Sequence, residues 1–487
     1  MPQSKWKIEI DRARGFAPKY YESTYPSFGN KEQAGAMRNI SLVDPNVMTQ
    51  GPGMAELTNG DQSGAVTTLM KGILRHAVTS NLSYGVGGAK LYSFSATAVT
   101  NAGDFPHTID KAAVTAESGE DVTYYQSKLY YSYGHSGSAG DIGQYDLSST
   151  FDDDWYSTVA TSGAALQDGP HQMINGGDDI LYITNGRFIA SLNGTTASPQ
   201  ALDFWTNSQA VSIAWNNNRV VSAVNRPNLT GVNVNQSAVY NWNGYSSSWE
   251  GDPIEINGRI GALFVKNGIT YIWYETFLDG AVRLIFGYLG GGQVVQLRTF
   301  SGTLPLYYQV GEMNDYIIWV SSGRLYAFGP LATDVQLDMF QLMSPQYTTT
   351  AGGVAAPFGE VLVASNDGGT NYSLEKEDGY ETDSSYKTIL FDTSRGDLKS
   401  VVDRLVLRVN QLASGAKVDL TLKDKKGTSL WTGEMSFTTD GAVTKKIFFP
   451  RATGEDLRLE YDFSNGSSSN NVAIRGTILE GRNIPMG

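Results

Sequence analysis

The sequence predicts an all-β protein, with a β-propeller of about seven blades followed by a C-terminal antiparallel β-sandwich of the jelly-roll type. Three observations support this prediction. A short strand pattern recurs seven times at spacings of 40 to 53 residues, apolar and charged residues alternate cleanly after residue 378, and only 17% of the residues are charged. A period in the mid-forties built from strands and turns is typical of propeller blades. A weakly charged chain rich in glycine and aromatic residues is typical of all-β folds with many tight turns.

Each copy of the repeat is a short strand in which an apolar residue, usually aromatic, lies two positions before another apolar residue. A second apolar run precedes the copies and is joined to them by turn sequences such as Asn185-Gly186 and Ser322-Gly323. Two runs joined in this way predict a β-hairpin. Any all-β chain contains hairpins, but seven copies of one two-strand pattern favour a propeller, because a single blade cannot bury both of its faces. The copies lie at residues 91–94, 144–147, 189–192, 239–242, 285–288, 325–328 and 371–374.

Residues 1–60 are predicted to form an extended N-terminal arm. The segment is aromatic-rich, is interrupted by prolines and has no helical period. Its rings must be buried either along its own propeller or against a neighbouring subunit, and we favour the second because aromatic side chains are enriched at interfaces. The candidate subunit contacts are Tyr20, Tyr21, Tyr25 and Phe28.

The blade repeat assigns residues 61–377 to the propeller. Clean alternation of apolar and charged residues then assigns residues 378–487 to the sandwich, with one face of each strand buried and one in water.

The formal charge of −13 is unevenly distributed. Residues 378–487 hold 15 basic and 15 acidic residues, whereas the rest of the chain holds 21 basic and 34 acidic residues. An acidic propeller argues against sequence-specific nucleic-acid binding, which needs a basic surface. It suits a surface that must not adhere to passing DNA, although ordinary solubility explains it as well.

Few residues suggest chemistry. The chain has no cysteine, and its four histidines are not spaced as ligands on one element, so no metal site and no cofactor are predicted. Acidic clusters at 152–154 and 178–179 are better explained as charged turns than as calcium sites. No nucleophile elbow, phosphate loop or dinucleotide motif is present. We therefore expect that the chain is not an enzyme.

One turn has a recognisable pattern. Residues 365–372 match the Asp-box through Ser365, Asp367, Gly369 and Tyr372. The match resembles the hairpin turn found in sialidases and many other propellers, where the Asp caps turn amides and the aromatic residue packs into the blade. That role is structural, so the motif supports the fold.

The whole chain resembles structural proteins of tailed-bacteriophage virions. The resemblance lies in residues 51–60 (Gly-Pro-Gly-Met-Ala-Glu-Leu-Thr-Asn-Gly), 399–409 and 471–476, and in the order of arm, propeller and sandwich. It implies a tail nozzle or hub ring protein in the DNA-delivery machinery, commonly sixfold, whose partners are further copies and other tail or head–tail connector proteins. It also implies location in the virion. The chain has no apolar run long enough for a membrane span and no apolar run near its charged N-terminus, so we expect no signal peptide and synthesis in the host cytoplasm.

The alternative is a receptor- or glycan-binding propeller at the virion surface or tail tip. Tryptophan side chains stack on sugars, although most tryptophans in propellers pack within blades. The candidates for a sugar platform are Trp155, Trp205, Trp215, Trp242 and Trp249. A third and weaker hypothesis is that the chain is a glycan hydrolase.

Overall fold

The structure is a computed structural model. It describes residues 5–10, 14–16, 33–38, 40–42, 47–59, 66–79, 81–100, 104–110, 117–135, 138–159, 166–167, 169–194, 196–226, 236–278, 280–330, 337–343, 350–366, 368–369, 371–388, 390–391 and 398–485. Strands make up 66% of the described residues and helices 3%, which confirms the all-β prediction. Two compact units are present: a propeller unit (Glu56–Gly323 and Tyr347–Lys376) and a terminal unit (Met1–Ala55, Arg324–Gln346 and Glu377–Gly487).

The propeller unit is built from small antiparallel sheets whose strands follow one another in chain order. The second to fifth blades each have four such strands. The second contains Glu117–Tyr125, Lys128–His135, Ser138–Tyr145 and Phe151–Asp152, and helix Trp155–Val159 follows it. The third contains Met173–Asn175, Leu181–Asn185, Phe188–Asn193 and Thr196–Asp203. The fourth contains Gln209–Asn216, Arg219–Arg226, Gln236–Trp242 and Glu250–Asn257. The fifth contains Arg259–Lys266, Ile269–Leu278, Ala281–Gly290 and Gln293–Phe300.

The first, sixth and seventh blades are less regular. The first contains Gly72–Ile73, Ser83–Gly87, Lys90–Phe94 and Ala98–Thr100, with short strands Thr58–Asn59 and His107–Thr108 added. The sixth contributes Val310–Met313 and Tyr316–Ser321 to the propeller unit after the 3₁₀ helix Tyr307–Gln309, and its next two strands, Arg324–Pro330 and Leu337–Met343, are assigned to the terminal unit. The seventh contains Thr350–Ala355, Leu362–Asn366 and Tyr372–Tyr380.

The predicted repeat corresponds to the third strand of each blade, and the apolar run before it to the second strand. These runs are continuous because both faces of a blade are covered by neighbours. Strand Tyr316–Ser321, for example, is buried along its whole length. The turns between first and second strands are of the type that hairpins prefer: Asn217 and Asn218 have φ of 51° and 60°, as a type I′ turn requires. The prediction of a propeller is confirmed.

The ring closes between the first and last blades. The Leu57 amide donates to the Leu374 carbonyl oxygen at 2.7 Å, and the Gly353 amide donates to the Met70 carbonyl oxygen at 2.9 Å. A Cβ on Gly352 would lie 2.1 Å from the Met70 carbonyl oxygen, so only glycine allows this approach. Side chains from both blades form one buried cluster, which includes Leu57, Met70, Tyr92, Phe94, Ala355, Ala364 and Leu374.

A polar network joins the first two blades. His107 Nε2 lies 3.1 Å from Asp153 Oδ1, and the His107 ring stacks on Phe151 at a centroid distance of 3.8 Å. The Tyr131 hydroxyl also donates to Asp153 Oδ1, and the Asp110 amide donates to Oδ2 at 3.0 Å. Burial opposes ionisation of Asp153, but these hydrogen bonds outweigh it and hold its pKa below the usual value. One member of the predicted charged turn at 152–154 therefore has a structural role.

The terminal unit contains two sheets and a short helix, Phe437–Asp440. The sheets are antiparallel except for one parallel pair, Arg14–Phe16 with Gln33–Arg38. Their inward side chains are fully buried, among them Leu405, Leu407, Val418, Leu420 and Leu422. The predicted sandwich is confirmed. The first sheet contains Lys5–Ile10, Ile40–Ser41, Met48–Gln50, Leu398–Val409, Lys445–Phe448, Ala452–Gly454 and Ala473–Pro485. The second contains Arg14–Phe16, Gln33–Arg38, Asp383–Thr388, Lys417–Lys423, Ser429–Ser436 and Arg458–Ser464. Strand Pro52–Glu56 belongs instead to the sheet of the seventh blade, as its fourth strand.

The N-terminal segment differs from the predicted arm over 1–60. In its described parts, Lys5–Ile10 pairs with Ala473–Pro485, with Ile10 opposite Thr477. Gln50 is buried, accepts a hydrogen bond from the Val472 amide at 3.1 Å and donates to the Glu381 carbonyl oxygen at 2.9 Å. These strands are therefore part of the sandwich. Their partners lie more than 300 residues away, so local sequence gave no sign of the pairing.

No helix in the described ranges is long and apolar enough to cross a membrane.

Replacing Ile10 with alanine should destabilise the terminal unit. Ile10 is buried in the strand that pairs with Ala473–Pro485, and deleting such a side chain costs about 2–4 kcal/mol. Calorimetry should show a lower melting temperature for one unfolding transition. The control is Lys5→Ser on the same strand, which is exposed and should cost less than about 0.5 kcal/mol. Equal effects of the two variants would contradict the assignment of this strand to the sandwich.

Candidate functional site

The strongest candidate site is a cavity of about 450 Å³ at the centre of the propeller unit. The innermost strands of all seven blades contribute to its wall, from Gly72 in the first blade to Val354 in the seventh. We call it the axial cavity. A second cavity of about 490 Å³ contains Lys71 in its wall, and Tyr307 and Tyr308 line both. Ligand sites are usually concave spaces of roughly 300–1,000 Å³ with a few converging polar groups, so both cavities are candidates.

Asp121 is the acidic group of the axial cavity. It follows a β-bulge in the innermost strand of the second blade, where Glu120 is the extra residue. Its Oδ1 accepts from the Val122 amide at 2.9 Å and its Oδ2 from the Met173 amide at 2.8 Å. Burial raises the pKa of Asp121 to about 7, against the two amide hydrogen bonds and the nearby Arg75 charge. Perturbed carboxyl groups in clefts are common at functional sites.

Arg75 is the basic group of the axial cavity. Its guanidinium carbon lies 4.8 Å from the centre of the Phe264 ring, a cation–π distance. In the part of the chain that the structure describes, no residue accepts a hydrogen bond from it. Burial lowers its pKa, while the carboxylates of Asp121 and Glu312 oppose that shift. The cavity therefore holds a guanidinium whose donors are available to a ligand, near a carboxyl group that can accept.

Aromatic side chains complete the wall. Tyr124 is 42% exposed, and Trp215 is half-buried and stacked on Tyr182 with ring centres 5.8 Å apart. With Phe264, they place ring surfaces beside the two charged groups. The arrangement can bind a polar ligand that also has apolar faces.

The Lys71 cavity is occupied by its own ion pair. Lys71 Nζ lies 2.5 Å from Glu120 Oε1, and the buried Tyr307 hydroxyl donates to Glu120 Oε2 at 3.3 Å. Burial, followed by the neighbouring carboxylates of Glu120 and Asp121, raises the pKa of Tyr307 well above its usual value. Because its charged groups satisfy one another, this cavity is the weaker candidate.

The Asp-box match is a turn held mainly by neighbours of the predicted residues. Ser365 is buried, lies 2.9 Å from the Ser373 hydroxyl and donates to the buried carboxylate of Glu375. Asn366 Oδ1 accepts from the Gly368 amide at 2.7 Å and its Nδ2 donates to the Gly369 carbonyl oxygen at 3.3 Å. Asn366 thus caps the turn.

The structure tests the predicted roles of the other Asp-box residues only in part. Tyr372 packs against the cluster that closes the ring. Asp367 lies outside the described residues, so its predicted capping role stays a prediction. The predicted subunit contacts Tyr20, Tyr21, Tyr25 and Phe28 also lie outside the described residues.

The tryptophans predicted to stack on sugars differ in exposure. Trp155 is buried in the helix that follows the second blade, Trp242 is buried within the fourth blade, and Trp215 and Trp249 are half-buried. Trp205 is 52% exposed, with the Arg226 guanidinium 4.0 Å from its ring centre.

Sequence reasoning did not single out Arg75 and Asp121. The available signal was a pair of adjacent acidic residues, Glu120 and Asp121, inside an otherwise strand-like segment. Charge in an innermost strand has to face a cavity or a partner.

No protein-family model and no curated protein matches the chain. Among solved structures, it is similar to an exo-β-1,3-galactanase from Phanerochaete chrysosporium, with 11% identity over 88% of this chain and 99% of that one and a TM-score of 0.34. It is also similar to Drosophila plexin A in complex with semaphorin 1b, with 10% identity over 67% and 88% and a TM-score of 0.40. A family 43 arabinoxylan arabinofuranohydrolase from Bacillus subtilis has 9% identity over 86% and 96% and a TM-score of 0.28.

These similarities correct one expectation. The sequence was taken to indicate that the chain is not an enzyme, but several similar structures are glycoside hydrolases. The expectation is contradicted and we do not retain it. At these identities the similarity concerns the fold alone, and the activities belong to those proteins.

The raised pKa of Asp121 predicts a pH dependence of stability. Between about pH 4 and pH 7 the unfolded chain loses this proton while the folded chain keeps it, so unfolding becomes easier as the pH rises. The expected loss is on the order of 2–4 kcal/mol, complete just above pH 7. The unfolding free energy, measured by urea unfolding, should therefore fall with rising pH in the wild type. In Asp121→Asn its slope against pH should be flatter. Asp315→Asn, at an exposed position, should follow the wild type; equal slopes for all three would contradict the prediction.

Proposed function

We propose that the chain is a structural component of a tailed-bacteriophage virion that assembles into a ring, as a tail nozzle or hub protein does, in the machinery that delivers the genome. The resemblance of residues 51–60, 399–409 and 471–476 to such proteins motivates the proposal. The observation that carries it is an open sheet edge in the terminal unit.

The open edge is strand Lys445–Phe448. It pairs with Leu398–Val409 on one side and with no described strand on the other. Ile447 is 41% exposed and the following Phe449 is 68% exposed. An unpaired edge with exposed apolar side chains is a template for association. Soluble chains normally protect such edges, so we infer that another copy covers this one.

The charge of the edge suits a partner of opposite sign. The edge carries Lys445, with Arg451 close behind in sequence, whereas Lys446 already pairs with Asp440 at 2.7 Å. The terminal unit holds 23 basic and 23 acidic residues, whereas the propeller unit holds 13 basic and 26 acidic residues, so the whole charge of −13 belongs to the propeller unit. A basic edge strand is expected to favour the acidic propeller unit of a neighbouring copy.

The propeller unit offers an apolar surface for this contact. In the fifth blade, Phe277 and Val282 are opposite each other on the long hairpin that the second and third strands form. They are 66% and 61% exposed. Beside them is an open groove of about 540 Å³ whose wall includes Ile254 and Val294. A contact between different surfaces of successive copies is heterologous and produces a ring when the rotation closes.

Acidic charge also suits the proposed setting. Duplex DNA carries about one negative charge per 1.7 Å of axis, so basic groups along its path would retain it. A propeller unit with twice as many acidic as basic residues would let the genome pass without adhering.

The full chain should sediment as a ring-sized species in the micromolar range. Phe449→Ser and Phe277→Ser should each weaken assembly at least tenfold, which is about 1.4 kcal/mol. Tyr245→Ser removes an equally exposed ring elsewhere on the propeller unit and should leave assembly unchanged. A wild-type monomer at every concentration would contradict ring formation.

Antibodies against the chain should label the tails of purified particles, and labelling elsewhere or not at all would contradict the virion assignment.

A second candidate function is binding of a receptor or glycan by the propeller. It is favoured by the axial cavity, in which Arg75 has donors available and ring surfaces lie close by.

A further inference from the structure

We propose that the axial cavity binds an uncharged carbohydrate, a terminal mono- or disaccharide, with Arg75 donating to its hydroxyl groups, Asp121 accepting from them and Tyr124 contacting an apolar face of the sugar. This inference rests on the second candidate function, the glycan-binding propeller, and names its ligand and site.

The charges in and near the cavity determine the ligand class. Arg75 is available as a donor, yet the carboxylates of Asp121 and Glu312 both act on it. Glu312 is already paired with Lys266 at 3.4 Å. Above about pH 7, where Asp121 is ionised, an anionic ligand would be attracted by Arg75 but repelled by Asp121, and a cationic ligand would be repelled by Arg75. A neutral ligand that both donates and accepts avoids either cost, and hydroxyl groups do both.

The hydrogen bonds already made in the cavity show which sites are free. Each Asp121 oxygen accepts one amide hydrogen bond, from Val122 or Met173, and a carboxylate oxygen has capacity for a second. Gln172, in contrast, is buried, and its Oε1 accepts from Ser212 Oγ at 2.9 Å and from the Ile213 amide at 2.8 Å. Gln172 therefore supports the wall, whereas Arg75 and Asp121 are available to a ligand.

An apolar occupant is disfavoured for the same reason. It would exclude water from Arg75 without replacing the hydrogen bonds, which is costly for a charged group. A sugar ring instead combines hydroxyl groups with apolar C–H faces. Tyr124 offers an exposed ring for such a face, and Asn175, exposed in the innermost strand of the third blade, offers a further amide. The volume of about 450 Å³ is within the range of small-ligand sites.

Saturation-transfer NMR on the full chain tests the inference. The probes are methyl glycosides of glucose, galactose, mannose and N-acetylglucosamine, with glucuronate and inorganic phosphate as anionic probes. At least one neutral glycoside should bind, and both Arg75→Met and Tyr124→Ala should weaken that binding at least tenfold. Arg187→Met is the matched control, because Arg187 pairs with Asp203 outside the cavity; it should bind as the wild type does.

Three outcomes would overturn the inference: binding of no neutral glycoside, binding of the anionic probes alone, or unchanged binding in both cavity variants. Tyr124 is exposed, so its replacement should leave the fold intact and keeps the test valid if Arg75→Met fails to fold. Sedimentation of the same samples separates this inference from the ring proposal. Loss of glycan binding with intact assembly concerns the cavity alone, and a monomer that still binds glycan overturns only the ring.

Discussion

The structure depends on the closure of the propeller unit between its first and last blades. The hydrogen bonds from Leu57 to Leu374 and from Gly353 to Met70 join the two ends of the blade series. Without them two apolar faces and two sheet edges would be open to water and to other chains. Closure also holds the innermost strands around one space. Arg75 and Phe264 belong to the first and fifth blades, so their contact depends on the closed ring.

The two units divide charge and association between them. The propeller unit carries the entire negative charge of the chain, and the terminal unit is neutral with an open, lysine-bearing edge. Net charge of one sign keeps identical surfaces apart. Like surfaces of the propeller unit therefore repel one another, while unlike surfaces can meet. In the proposed ring, this division would favour a head-to-tail order of copies over random clustering.

Features that depend on contacts between residues close in sequence could be predicted, and features that depend on distant residues could not. The blade repeat was visible because each hairpin is local: turn residues such as Asn217 and Asn218 are adjacent, and the apolar runs that they join are near neighbours in sequence. The partner of Ile10 is Thr477, and nothing in a run of alternating residues identifies a partner at that distance. The same limit applies to the axial cavity. Arg75 lies in no motif. It belongs to a candidate site because other blades place Phe264 and Asp121 near it.

The pairing of Lys5–Ile10 with Ala473–Pro485 also orders events during synthesis. Strand Lys5–Ile10 is synthesised long before its partner strand, Ala473–Pro485. All strands of the propeller unit are complete by residue 376, so its ring can close while the terminal unit still lacks its central strand. Contacts between distant residues form slowly because a long loop must close first. Strand Lys5–Ile10 therefore stays unpaired until Ala473–Pro485 has been made, and the sheet that carries the edge proposed for assembly is completed only then.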